Sequence, residues 1–283
     1  MSRTAVLSAR VLPATVFPAT AVATVAGRRI RYVDTGGDGP ALLLLNGSGG
    51  NLELLMPLID LLRRTRRIIA FDQPGMGGSP AAYPMLDIPA LAELAAALLD
   101  ACEVERADVL GYSFGGAIAQ QLAMTRRTCV RRLVLVASVV GLGGLPTGPV
   151  TATSVIAHQF GSPAPHLTRA IARRGYGGRV RHDEPALRRA EWAWLAAPAD
   201  PLSFVGQAVA VATWSSLALL WTLRAPTLVV TGDDDAIVPL LNALALALWI
   251  PQAQLRVVPG GGHLLPIDQP EELADLVEEF LPR

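Results

Sequence analysis

Gly111-Tyr112-Ser113-Phe114-Gly115 sets a serine between two glycines, each two residues away. Asp108 to Gly111 reads as a short strand, and Phe114 to Met124 reads as a helix. A serine in so tight a strand-to-helix turn takes a strained backbone, and side chains at the glycine positions would strike neighbouring chain. The hydroxyl then projects beyond the end of a sheet. The helix start at Phe114 offers an N–H and a positive dipole end to negative charge developing there. Strand, G-x-S-x-G and helix in this order are the context of a nucleophile elbow.

A serine hydroxyl needs a base. The chain has four histidines, His158, His166, His182 and His263. The first three fall in a region with no fixed scaffold. His263 follows Gly260-Gly261-Gly262, between the last expected strand and the last helix, where a flexible loop can carry an imidazole over the sheet edge. The base in turn needs an acid on its other ring nitrogen. Asp233, Asp234 and Asp235 stand together after the strand Thr227 to Thr231, and chemistry alone leaves all three open. One could be a turn acid and another a helix cap. The spacing Gly-x-x-Asp-x-x-Val-Pro favours Asp235. A second backbone donor for an oxyanion is expected from Asn46-Gly47-Ser48-Gly49-Gly50, after the third strand. The donors would be the N–H groups of Ser48 and Phe114. Asp72-Gln73-Pro74-Gly75-Met76-Gly77-Gly78-Ser79 reads as a supporting turn at the same sheet end.

These residues must be carried by a framework. Thr20 to Ala26 and Arg29 to Asp34 read as a hairpin joined at Gly27. Ala41 to Asn46, Arg67 to Phe71 and Arg132 to Ala137 read as further strands. Leu52 to Arg64 and Asp87 to Ala101 read as helices between them. Such alternation predicts a mostly parallel sheet with helices on both faces. It breaks at residue 139. Val139 to Ala164 is rich in Gly, Pro, Ser and Thr, and 165 to 223 reads as helices with irregular joints. Alternation resumes with Thr227 to Thr231, a helix Pro239 to Trp249, a strand Gln254 to Val258 and a helix Glu271 to Leu281. An insertion at that place would sit above the strand ends as a lid.

The formal net charge is zero over 283 residues, and every cation other than histidine is an arginine. Neutrality gives no reason to expect a nucleic-acid partner. The lack of lysine removes Schiff-base chemistry and a P-loop. Cys102 and Cys129 form no CxxC pair, so no metal or redox motif is expected. Arg3 and Arg10 precede a mildly apolar stretch that ends near Ala21-Val22-Ala23, faintly like a signal peptide. Pro13 and Pro18 interrupt it, and cleavage there would cut into the first strand. A cytoplasmic protein is the expectation. Pro201 to Leu223 is uncharged and of membrane-spanning length, but Gly206, Gln207, Thr213, Ser215 and Ser216 lie within it. A buried or lid helix is expected there, and no transmembrane segment.

Taken together, the motifs resemble the α/β-hydrolase superfamily over nearly the whole chain. Several stretches are similar to intracellular depolymerases of medium-chain poly(3-hydroxyalkanoate). They are Leu45-Asn46-Gly47-Ser48-Gly49-Gly50-Asn51-Leu52-Glu53-Leu54, Ala70-Phe71-Asp72-Gln73-Pro74-Gly75, the elbow continued through Gln120-Gln121, and Gly232 to Leu240. Tyr176-Gly177-Gly178 and Trp214-Ser215-Ser216 add to the likeness. Phe114 and Ser48 depart from it, standing where tryptophan and a larger apolar residue are usual, as does much of the lid. The resemblance implies an α/β-hydrolase fold, a mostly parallel central sheet flanked by helices, with a core of 1–138 and 224–283. A helical lid, 139–223, follows strand 6. It implies Ser113, Asp235 and His263 as triad, a hydrophobic ester or polyester granule as substrate, and no cofactor. The aromatic residues Phe160, Trp192, Trp194, Phe204, Trp214 and Trp221 suit an acyl chain or plain lid packing. Arg173, Arg174, Arg179, Arg181, Arg188 and Arg189 suit granule docking or a solvated surface. Esterase, lipase, lactonase, thioesterase and carbon–carbon hydrolase activities stay open, as does a non-catalytic binding protein. The oligomeric state is not legible.

Overall fold

Ala26 and Gly27 both have positive φ, 47° and 75°, as the tightest hairpin turns demand. They join β1 (Thr20–Val25) to β2 (Arg28–Asp34) as an antiparallel pair. The computed structural model describes residues 18–145 and 165–282. Most of the leader-like stretch, His158 and Phe160 lie outside the described residues. β2 also pairs antiparallel with β4 (Arg67–Phe71). Every later pairing is parallel, through β3 (Ala41–Leu45), β5 (Ala107–Tyr112), β6 (Val130–Val136), β7 (Thr227–Gly232) and β8 (Gln254–Val258). The spatial order is β1-β2-β4-β3-β5-β6-β7-β8.

Side chains alternate across a strand, and the sheet uses both faces. Leu43 and Leu45 enter one core with residues of α2 (Ile88–Ala101), α3 (Phe114–Thr125) and α7 (Leu240–Trp249). Leu42 and Leu44 enter the other, with α1 (Leu52–Leu62) and α9 (Pro270–Phe280). That double burial explains why β3, β5 and β7 are apolar runs without polar alternation.

Between β6 and β7 lie α4 (Pro165–Tyr176), a 3-10 turn Arg179–Arg181, α5 (Glu184–Ala196), α6 (Pro201–Thr213) and a second 3-10 turn Leu217–Thr222. The uncharged stretch from Pro201 is therefore divided. Among the described residues no single helix is long and apolar enough to cross a membrane.

Two differences from expectation have local causes. β6 starts at Val130, not Arg132, because Val130 pairs with Ala107. Arg131 and Arg132 hide that strand start from a hydrophobicity pattern, and Arg131 is neutralised by Asp108 at 2.9 Å. One more helical turn, α8 (Leu265–Asp268), was not expected. Four residues are too few for a helical period to show in a sequence.

Candidate active site

β5 ends at Tyr112, and Ser113 follows with φ 52° and ψ −118° before α3 begins. That conformation is costly for a residue with a side chain. The surroundings leave the chain little alternative. A Cβ on Gly115 would lie 2.1 Å from the Leu45 carbonyl oxygen, and one on Gly111 would lie 2.5 Å from that of Gly115. The glycines let α3 approach β3 and β5 until the serine is forced out at the sheet end. Phe114 opens α3, so its N–H has no acceptor within the helix.

His263 Nε2 lies 3.1 Å from Ser113 Oγ, and Nδ1 lies 2.9 Å from Asp235 Oδ2. A carboxylate can only accept, so Nδ1 carries the proton and Nε2 faces the hydroxyl as an acceptor. Asp235 Oδ1 takes the N–H groups of Ile237 and Val238, each at 2.8 Å. These fix the carboxylate's angle. The imidazole leans on the Tyr112 ring, with centroids 5.3 Å apart, and its own backbone N–H donates to Tyr176 O at 2.7 Å.

The three aspartates separate by partner. Asp233 accepts the Gly260 N–H at 2.7 Å, bracing the glycine loop. Asp234 faces the insertion, pairing with Arg181 at 2.8 Å and accepting the Gly178 N–H at 2.8 Å. Asp235 alone of the three reaches His263. Of the other histidines, His166 lies in α4, and His182 is exposed at the end of the first 3-10 turn.

The Asn46–Gly50 loop packs against the elbow; a Cβ on Gly47 would sit 3.3 Å from that of Ser113. Its N–H groups are nearly all consumed. Gly47 donates to Asn46 Oδ1 at 2.8 Å, Gly49 to Gln207 Oε1 at 2.9 Å, and Gly50 to Gly47 O at 3.1 Å. Among the described residues, the Ser48 N–H is the one of these four without a protein acceptor. Asn51 holds the loop's far end. Its side chain caps α1 through Leu54 N at 3.1 Å and donates to Ala193 O and Ala197 O of the insertion. Asp72 lies behind the loop and accepts from Leu52 N and Gly78 N, each at 2.7 Å. Burial pushes its carboxyl up to about 6, against the pull of those N–H groups and of Arg31.

Motifs far apart in sequence meet here. Gly177 and Gly178 press so tightly on Asp234 and Gly262 that added Cβ atoms would lie 1.9 Å from Asp234 O and 2.4 Å from Gly262 N. Trp214 Nε1 donates to Gln121 Oε1 at 2.8 Å, and Ser216 Oγ donates to Gln120 Oε1 at 2.7 Å. These contacts bolt the middle of the insertion to the loops after β7 and β8, and its C-terminal part to α3. Arg173, Arg181 and Arg188 all sit in ion pairs, with Glu184 or Asp234. Trp214 and Phe204 are buried, while Trp192 and Trp221 are exposed. Cys102 is buried and Cys129 half-buried, both unbridged. No cluster of metal-ligating side chains occurs among the described residues.

Ser113 and His263 open onto a cavity of about 810 Å³ lined by Leu54, Leu142, Leu145, Trp194, Phe204, Val205, Val211, Ile237 and Leu264, among others. Its lining holds Ser48 and Phe114 but no Arg, Asp or Glu among the described residues. The 146–164 segment carries none of these either.

A doubly covered, mostly parallel sheet with a strained serine and a histidine at one rim defines the hydrolase class of α/β proteins. The chain belongs to the alpha/beta hydrolase family, whose model matches residues 42–276. It is 36% identical over 241 residues to a poly(3-hydroxyalkanoate) depolymerase of Ectopseudomonas oleovorans, covering 85% of this chain and 83% of that protein. It is 33% identical over 269 residues to a 2-hydroxymuconate semialdehyde hydrolase of Pseudomonas sp. (strain CF600), covering 90% and 91%. A crystallised hydrolase from Pseudomonas aeruginosa PA01 superposes with a TM-score of 0.79 at 26% identity, covering 93% of this chain and 98% of that one. A meta-cleavage product hydrolase from Pseudomonas fluorescens IP01 gives a TM-score of 0.79 at 26% identity, covering 92% and 96%.

Proposed function

We propose that this hydrolase cleaves carboxylic esters of hydrophobic acyl groups, medium-chain polyhydroxyalkanoate foremost, through an acyl-enzyme on Ser113. The observation that carries the proposal is the Ser113–His263–Asp235 hydrogen-bond chain opening onto an uncharged apolar cavity. Ser113 Oγ attacks the carbonyl carbon as His263 Nε2 takes its proton, and Asp235 steadies the imidazolium. The oxyanion rests on the N–H groups of Ser48 and Phe114. His263 returns the proton to the departing alcohol. Water, deprotonated by His263, then releases the acid. This chemistry calls for no metal or organic cofactor.

In this proposal residues 139–223 are a lid over a core of 1–138 and 224–283. The enzyme works in the cytoplasm, in keeping with its two unbridged cysteines. The cavity lining favours an acyl ester over the hydroxymuconate semialdehyde named for the second relative. A semialdehyde acid brings a carboxylate, and burying it without a cation costs several kcal/mol.

Two measurements test the proposal. Ser113→Ala should lower turnover of a nitrophenyl ester about a thousandfold or more, and a fluorophosphonate should label the parent enzyme at Ser113. Near-normal hydrolysis by that variant rejects the nucleophile. Across nitrophenyl esters from acetate to octanoate, kcat/KM should rise up to about fourfold per methylene, the ~0.8 kcal/mol of each buried CH2. Polyester granules should clear. Preference for acetate with no clearing leaves a general esterase.

A further inference from the structure

Two peptide groups bracket the Gly47-Ser48 segment, the carbonyl of Asn46 before it and the N–H of Gly49 after it. Both are held from outside the loop by buried glutamines. Gln73 Nε2 donates to Asn46 O at 2.9 Å. Gln207 Oε1 accepts the Gly49 N–H at 2.9 Å, and Gln207 Nε2 donates to Gln73 Oε1 at 2.7 Å. The bonds close a ring that runs from the loop through Gln73 and Gln207 and back. Gln73 is 1% exposed and Gln207 5%, so water cannot replace a bond that is lost. Neither side chain lines the cavity. Gln207 belongs to α6, and Phe204, Val205, Ala208 and Val211 of the same helix do line it.

The geometry points to Gln207 as a positioning residue that makes the Ser48 oxyanion donor depend on how α6 is seated over the cavity. The inference rests on the acyl-enzyme proposal above and assigns a control to it. Gly47, Gly49 and Gly50 give the loop wide conformational freedom. Without Gln207, the Gly49 N–H and the Gln73 amide oxygen each lose the bond that Gln207 makes to them, and the Ser48 N–H loses its aim. An acyl chain long enough to fill the cavity presses on the α6 face next to Gln207. Contact remote from the scissile bond then reaches the oxyanion, so chain length acts on kcat and not on KM alone.

The test uses the full chain carrying Gln207→Leu, with nitrophenyl butyrate and octanoate as substrates. Octylboronic acid serves as a probe that forms a tetrahedral adduct with Ser113 Oγ. In a variant that melts within a few degrees of the parent, kcat for octanoate should fall about 30-fold, less than the full loss of an oxyanion donor. The inhibition constant of the boronic acid should rise by a similar factor. KM, and inhibition by free octanoate, should stay within about threefold. The octanoate-to-butyrate ratio of kcat, above one in the parent, should collapse towards one. If Gln207→Leu does not fold, Gln207→Glu keeps the acceptor for Gly49 and loses the donor to Gln73. It should show a smaller loss of kcat, again at constant KM. A folded variant with parental kcat and boronic acid affinity overturns the inference, as does a loss confined to KM. An active Ser113→Ala variant overturns instead the acyl-enzyme proposal on which it rests.

Discussion

Replacing Asp235 and Asp234 in turn by asparagine separates two neighbouring carboxylates that the structure sends in opposite directions. Asp235 is buried and accepts the hydrogen bond of His263 Nδ1–H at 2.9 Å. In Asp235→Asn the amide oxygen can still accept the N–H groups of Ile237 and Val238, which turns the NH2 towards His263. The imidazole must then accept at Nδ1 and carry its proton on Nε2, facing Ser113. A protonated Nε2 cannot serve as the base. Loss of the correct tautomer is worth about 10⁴ in kcat, or about 5.4 kcal/mol of transition-state stabilisation. Asp234→Asn should behave quite differently. Its pair with Arg181 is over one-third exposed on both sides, which limits its contribution to ~1 kcal/mol. For a chain of this size that is a shift of about 3 °C or less in Tm. Activity should fall no more than a few-fold, through looser seating of the insertion. The assay is kcat/KM on nitrophenyl octanoate beside a thermal melt of each variant. An Asp234→Asn enzyme that loses more activity than Asp235→Asn would refute the reasoning, as would an Asp235→Asn enzyme keeping a tenth of parental activity.

Gly115→Ala sets a methyl 2.1 Å from the Leu45 carbonyl oxygen. It should cost about 3 kcal/mol, seen as a Tm drop of roughly 6–12 °C; an unshifted Tm would mean that the elbow is not tightly packed. Asn51→Ala removes the α1 cap and two donors to the end of α5. A loss of about 2–3 kcal/mol is expected in denaturant melts, and parental stability would show these bonds to be idle. Asp72, at about 6 in the fold, binds its proton more tightly than in the unfolded chain, where about 3.9 is usual. Its contribution to stability is therefore fully present below about pH 4 and lost as pH rises through 6. Asp72→Asn should remove that part of the decline, and identical pH–stability curves for parent and variant would contradict it.

The sheet was legible because its signals are local. Apolar runs such as Ala41–Leu45 and Thr227–Gly232 mark buried strands within five or six residues. The elbow was legible for the same reason, since G-x-S-x-G, its strand and its helix are contiguous. The limits of β6 and the single turn of α8 were not, because arginines broke one pattern and brevity erased the other.

What the sequence determined by itself was the succession of the strands and the longer helices along the chain, the serine at residue 113 and the glycine loop carrying His263. Each follows from backbone constraints among adjacent residues. Tertiary structure decided which of three aspartates faces the imidazole and which glycine-loop N–H stays unclaimed. It also decided that Gln73 and Gln207, 134 residues apart, close around that loop. Hydrogen bonds act over about 3 Å of space, and a chain folded through a parallel sheet brings together groups whose separation in sequence carries no trace of the contact.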